Sequence, residues 1–550
     1  MADNETSIEK PPFYIRHFFL ILVLLGILGG FLALTVPLWK SWAEAPKTNC
    51  IEFILGWIGS PLSSLIPNHD DEKYPQGKVI TDLRLHILYI TGGIIAILTL
   101  LQTNWKNQVD HHKVEDDIQK NKNDHNRQVH AERRSRYTKA VEQLGDEKAT
   151  VRLGGIYTLV GLVDEWLSDD ALDSKEQQKE GQVIINSLCS YIRSPFPLAA
   201  KIEEYEARKE LEKLQKTESE KLREAESSRL QVLLRRFKDS GKYKKPKDIS
   251  ADYVKFYEEQ DVRLAIFKEM SKHSSDVSVD ESEEVTVTPD TWSTLKFDFS
   301  RAPIFYPLSY LTIEQGNFAY ARFYGKAKFR GAKFAQNAHF LGAEFTGDAD
   351  FWDAKFAENA HFKNVKFTRG ASFIDAKFTK NADFRGTKFI SDANFKNTKF
   401  SRGAGFTKAK FTGKAYFTDA KFTGKAYFTD AKFTGEVYFK GAKFTGEVYF
   451  KGAKFTRYTS FEGAYFKKYA PIFADDSGAA RFSDRVNWAD SNFSVRSGSQ
   501  SIERGSATLG NKTFRIPLGT MLFDPSSGKT SEPAKPLDNS NDGEEEKPAE

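Results

Sequence analysis

From residue 318 to residue 466 a phenylalanine returns at alternating steps of five and six residues, with no position missed. Self-similarity at a fixed period predicts a solenoid, in which each unit packs only on its neighbours. A small residue stands two positions before most of the rings: Ala332 before Phe334, Ala338 before Phe340, Ala415 before Phe417. Positions i and i−2 of a strand share a face, so alanine and phenylalanine are predicted to point inward together. The residue between them then points out. It is lysine at Lys333, Lys355 and Lys366, and again at Lys377, Lys388, Lys399, Lys410, Lys421, Lys432, Lys443 and Lys454. Thr-Gly and Thr-Asp pairs follow the rings, as turns require. Recurrent glycine and threonine, and the lack of a 3.6-residue period, argue against helix.

Repeated A-x-F units near five-residue spacing resemble the pentapeptide-repeat family. The resemblance implies a right-handed quadrilateral β-helix, its inside filled by the central residue and its i−2 partner. This chain uses phenylalanine where leucine is commoner, and an extra residue in every second step makes an eleven-residue unit. With four sides, a coil takes 22 residues. Roughly seven coils at about 4.8 Å then give a rod on the order of 33 Å long. The expected core is Phe334, Phe345, Phe356, Phe367, Phe378, Phe389, Phe400, Phe411, Phe422, Phe433, Phe444 and Phe455. The sixth residue of the longer step, Lys414 or Lys425 for example, should protrude at alternate corners. Residues 292–313 should lead into the first coil and residues 465–482 should close the last.

Two apolar stretches precede the repeat. Residues 18–39 are long enough to span a bilayer, and residues 85–101 are at the short end. Ala43-Glu44-Ala45 resembles a signal-cleavage site, but Pro46 follows directly and the apolar run is long for a signal peptide, so an uncleaved anchor is expected. Lys106, Lys113, Lys120, Lys122 and Arg127 after the second stretch place both termini on the cytoplasmic side of an inner membrane. Residues 51–66 are too short to span and are expected at the interface. Cys50 and Cys189 fall on opposite sides, so no disulfide is predicted.

The expected fold class is therefore membrane-anchored and mainly β: two transmembrane helices, a helical stalk or cap region, the right-handed quadrilateral β-helix, and a disordered acidic tail. The expected domains are 1–105 with the two spans, 106–290 as charged linker and helical region, 291–482 as solenoid, and 483–550 as polar tail. Amphipathic helices are predicted over 133–144, 150–167 and 182–193. The segment around Gln143-Leu144-Gly145 and Val151–Tyr157 resembles the helical region that precedes the repeats in bacterial membrane-anchored members of the family. For the charge-dense 203–237, a solvated helix and a coiled-coil arm both fit. Residues 261–270 should dock on the earlier helices, and 273–289 read as a loop.

No G-x-S-x-G, Walker A or H-E-x-x-H motif occurs. Neither the juxtamembrane histidines His111, His112, His125 and His130 nor the repeated Asp419 and Asp430 have the pattern of a metal or acid–base site. No catalytic residue, metal or cofactor is predicted, and the expectation is a non-enzymatic scaffold. Charge is the telling feature. Residues 318–468 hold 29 lysines and arginines against 13 acids, near +16, while the whole chain is +5. The lysines named from Lys377 to Lys454 are thus a candidate anion-binding face for an acidic protein, anionic lipid or nucleic acid. Tyr416, Tyr427, Tyr438 and Tyr449 are a candidate stacking column, which would suit a membrane tether for nucleic acid. Family members that mimic DNA do so with acidic surfaces, the opposite sign. Glu544, Glu545 and Glu546 would make an intramolecular shield for the lysines. Oligomeric state has no signal in the sequence.

Overall fold

The computed structural model describes residues 11–42, 75–217, 224–238, 249–280 and 285–536. The expectations for Cys50, for 51–66, for the 43–45 site and for Glu544–Glu546 lie outside the described residues. The chain divides into two compact units, Met1–Val129 and His130–Glu550.

The N-terminal unit is helical. Helix Phe18–Trp42 and the first part of helix Pro75–Leu144 each contain a stretch long and apolar enough to cross a membrane. Their large side chains, among them Phe19, Ile27, Phe31, Leu88, Ile90 and Leu100, are exposed. The two helices meet at Gly29, where a Cβ would lie 2.5 Å from the Thr91 methyl. Small residues permit such close backbone approach between apolar helices.

The second unit begins with a helical cap. Helices Ala149–Leu167, Ser174–Arg193 and Ile249–Lys272 bury Ile156, Leu159, Val163, Ile185, Leu188 and Ile266. Arg263 is almost fully buried at their centre. It bonds Glu259 at 2.6 Å, the Ile192 carbonyl at 2.8 Å and Ser194 Oγ at 2.9 Å. The charge-dense 203–237 segment is neither one solvated helix nor a coiled-coil arm. Helices Pro197–Lys216 and Glu224–Arg236 pair over a small core of Ala207, Leu214 and Leu233. The predicted loop 273–289 holds a hairpin, Asp276–Val279 with Val285–Thr288. Its valines alternate, a strand pattern that outweighs the surrounding serines and acids.

The solenoid has four faces, each a parallel ladder. In chain order the faces hold eight, ten, seven and eight strands, about eight turns. A coil is typified by Ala404–Gly405 on the first face, Lys410–Phe411 on the second, Ala415–Tyr416 on the third and Lys421–Phe422 on the fourth. Every rung pairs residues 22 apart through the regular repeat, Lys410 with Lys432 and Phe411 with Phe433 for instance. The expected core phenylalanines are all buried, each at 0 or 1 % exposure. Their rings stack coil on coil, Phe378 on Phe400 at 5.0 Å and 3°. Rings of the first and third faces meet edge to face, as Phe362 and Phe373 do at 87°, the arrangement the ring quadrupole favours. Thr387 and Thr398 replace alanine inside, and each hydroxyl donates to a carbonyl, of Phe362 and Phe373 respectively.

The two step lengths make two kinds of corner. At the five-residue corner, Ala420 N–H donates to the Phe417 carbonyl and Asp419 has φ 56°, the positive angle of a type II turn. At the six-residue corner a glycine lies flat on the coil beneath. A Cβ on Gly435 would sit 2.2 Å from the Gly413 carbonyl oxygen. Lys414 and Lys425 stand at these corners and reach the next coil, to Glu436 and Glu447, at 3.0 Å each.

Both ends extend beyond the phenylalanine run. Phe297–Asp298, Pro303–Ile304 and Thr312–Ile313 already belong to the first, second and fourth faces. Residues 292–313 therefore form the first coil rather than only lead to it. Phe267 of the cap covers it, 4.5 Å from Phe299. At the other end Arg481–Ser483 and Met521–Phe523 add two strands to the second face. Trp488 and Phe493 lie against Phe482, at 5.1 and 5.6 Å. Hairpin Arg504–Leu509 with Lys512–Pro517 follows. The predicted polar tail from 483 is thus folded as far as Pro536, because Trp488, Phe493, Ile516 and Leu522 bury themselves without any repeat period.

Candidate anion-binding faces

The lysines divide between two opposite faces. Lys388, Lys410, Lys432 and Lys454 form one continuous column on the second face. Lys377, Lys399, Lys421 and Lys443 form the other on the fourth. Eleven residues are half a coil, so successive copies of the unit fall on alternate sides.

The second-face column has a distinct start. Glu344 interrupts it, 2.8 Å from Lys366 and 3.5 Å from Arg322. Burial pushes the Glu344 carboxyl up, but the Lys366 hydrogen bond and the charges of Arg322 and Lys366 outweigh it and hold it below the usual range. Above Lys366 the pairing stops. No carboxylate among the described residues pairs with Lys388, Lys410, Lys432 or Lys454. Arg481 continues the column beyond Lys454. Its Nε is buried without a hydrogen-bond partner. Burial, then the charges of Arg481 and Lys432, hold the Lys454 ammonium below the ordinary lysine value. On the fourth face Lys333 and Lys355 sit near Asp276 and Asp353, at 3.7 and 4.0 Å. Lys377, Lys421 and Lys443 have no carboxylate partner among the described residues.

Like charges at about 4.8 Å repel by roughly 1 kcal/mol or less in a water-like dielectric. Each buried phenylalanine contributes about 1.5–3 kcal/mol. Two lysines and four rings enter per coil, so the core holds the columns together against their own field. Outside each lysine column runs a column of hydroxyls, Thr412, Thr434 and Thr456 on the second face and Ser401, Thr423 and Thr445 on the fourth.

The four tyrosines are not one column. Tyr416 stacks on Tyr438 on the third face at 5.3 Å, and Tyr427 on Tyr449 on the first at 5.2 Å. The Tyr438 hydroxyl donates to Glu436 at 2.6 Å, and that of Tyr449 to Glu447. Burial and then Glu436 push the Tyr438 phenol well up. Half-turn alternation splits them as it splits the lysines. Of the histidines, His130 bonds Asp169 at 2.8 Å. No three His, Cys, Asp or Glu side chains converge as a metal site among the described residues. Cys189 is buried in the cap, its thiol pushed up to about 12 by burial.

Sequence reasoning missed Arg481. It lies 27 residues after Lys454 rather than 22. One extra residue enters before Ile472, which still pairs with Tyr449 on the first face, and the small hairpin of Ala474–Asp475 with Gly478–Ala479 adds the rest before the second-face strand resumes. The trace was Arg481-Phe482-Ser483, an echo of Lys-Phe-Thr.

The pentapeptide-repeat family model matches in nine copies, over 312–355, 351–399, 373–421, 395–441 and 417–465. The solenoid belongs to the pentapeptide-repeat family. Searches among curated proteins and solved structures gave no match. Within the pentapeptide-repeat domain, the matched residues cover both lysine columns from Lys377 to Lys454.

Proposed function

We propose that this protein is a non-enzymatic scaffold, tethered to a bacterial inner membrane by its two apolar helices with both termini cytoplasmic, that presents its lysine columns to an anionic partner. One observation carries the reading: cations stacked in register on two faces, with no carboxylate partner among the described residues for Lys388, Lys410, Lys432 or Lys454 on the second. A rod built only for solubility gains nothing from that arrangement, since interspersed charges serve as well. Exposed apolar side chains on Phe18–Trp42 and on residues 85–101 support the anchor.

The alternative of a nucleic-acid tether draws on the tyrosines. Glu436 and Glu447 hold two of the four hydroxyls and would set carboxylates beside any phosphate, so the lysine columns carry more weight.

The full protein in neutral-lipid nanodiscs should bind anionic vesicles, an acidic peptide or another polyanion, with affinity falling steeply as salt rises. Exchange of both lysine columns for glutamine should abolish it. Failure to bind every anionic probe at low salt would remove the reading. Reporter fusions at Lys73 and at the C-terminus test the anchor, and an external C-terminus would overturn the placement.

A further inference from the structure

The eleven-residue unit is half a coil, so the solenoid carries nearly the same chemistry on opposite sides. Residues 411–421 and 422–432 are both FTGKAYFTDAK, and residues 433–443 and 444–454 are both FTGEVYFKGAK. Lys410 and Lys432 stack on one side while Lys421 and Lys443 stack on the other. Each side adds a hydroxyl column, Thr412 and Thr434 on one and Thr423 and Thr445 on the other. Two like ladders that face away from each other cannot both engage one short ligand.

The face geometry selects among anions. Cations stand in single file along the axis, about 4.8 Å apart, so the ligand is a line of charge. From Lys377 to Thr456 the outward positions of these two faces are lysine and threonine or serine, with Ile390 the exception. The rings these faces do carry, Tyr324 on the second and Tyr465 on the fourth, stand singly outside that run and give successive bases no column to stack on. A duplex winds away from a straight column. A planar leaflet would meet the corners as well, and Asp392, Asp430 and Glu436 occupy corners beside the second face. A phosphoanhydride chain meets none of these objections. It is thin and flexible, has no bases, and carries a charge at every phosphorus for the ammonium groups, with oxygens that accept from the hydroxyls.

We propose that the two lysine columns bind two linear polyphosphate chains, one per face, so that a single solenoid cross-bridges them. This rests on the anion-binding reading of the preceding subsection and goes beyond it in ligand and valency.

The test uses the full protein in neutral nanodiscs loaded with one chain each. The probes are inorganic polyphosphate about one column long, labelled separately with a donor and an acceptor dye. Wild type should bind two chains and give energy transfer between them. Lys388→Gln with Lys410→Gln, Lys432→Gln and Lys454→Gln should reduce the stoichiometry from two to one and abolish transfer. The matching variant at Lys377, Lys399, Lys421 and Lys443 should do the same, and the combined variant should bind none. Circular dichroism checks that each variant keeps its strands. Energy transfer that survives in either one-face variant would overturn the bivalent assignment. Binding of anionic vesicles, or of single-stranded DNA, without binding of polyphosphate would overturn the ligand and leave the anion-binding reading standing. Binding of no anion would end both.

Discussion

The rings of Phe395 and Phe417 lie 5.0 Å apart and 1° from parallel, although a full coil of chain separates them. Neither ring touches water. Each also meets a first-face ring edge on, Phe406, at 5.4 and 5.5 Å. A core of this kind has no slack, because every ring is both a floor and a wall for others.

Phe417→Ala should therefore cost about 3–5 kcal/mol. The loss should appear as a lower denaturant midpoint for the solenoid transition. Phe417→Leu should cost less. A Phe417→Ala protein with an unchanged midpoint would contradict the packing described.

Gly435→Ala tests the six-residue corner. The added methyl has no room above Gly413, and overpacking of this kind costs about 1–3 kcal/mol. Thr434→Ala, one residue away on an exposed position, should change the midpoint little. Equal effects of the two substitutions would remove the close-approach argument.

The cap depends on Arg263. Removing one partner of a buried ion pair costs about 3–5 kcal/mol, so Arg263→Ala should destabilise the helical region by that order. Arg263→Lys should rescue only part, since one ammonium cannot reach Glu259, the Ile192 carbonyl and Ser194 together. Near-UV spectra around Trp166 and Trp292 would register the loosening.

Acid should weaken the first face. His339 and His361 stack at 4.8 Å. Burial first, and the neighbouring His361 second, lower the His339 pKa below the ordinary 6.5. The unfolded chain thus takes up a proton at higher pH than the folded one. Stability is complete above about 6.5 and falls as pH drops through the folded value. Melting temperature should decline between pH 7.5 and 5, and His339→Asn should flatten that decline.

The lysine columns should destabilise their own scaffold in low salt. Lys410→Gln should raise the melting temperature at low ionic strength by removing two repulsions, with Lys388 and with Lys432, of roughly 1 kcal/mol or less each. The gain should vanish in high salt, where such charges are screened. A gain independent of salt would point to a cause other than charge.

Strand periodicity made Phe411 and Lys410 legible, since a period of two sends neighbours to opposite sides. The half-coil split of Tyr416 from Tyr427 follows from the same count and needed only to be carried through. Other parts left weaker traces. Trp488, Phe493 and Leu522 build the C-terminal closure one contact at a time, and irregular packing writes no period into a sequence. Arg263 stands as one more charge in a helix until the Ile192 carbonyl and Ser194, about seventy residues earlier, come to meet it. The columns themselves could be read in advance, but the loss of pairing above Lys366 on the second face could be assigned only once rungs were aligned.

The half-coil repeat bears on how such a rod can change length. A gene segment encoding eleven residues can be copied or lost in tandem, and everything downstream then turns by one hundred and eighty degrees. Because the two sides match, the rotated part meets a surface it already fits. Growth by single half-turns is open to this protein without rewriting a single side chain, and the verbatim pairs within residues 411–454 are what that kind of copying leaves behind.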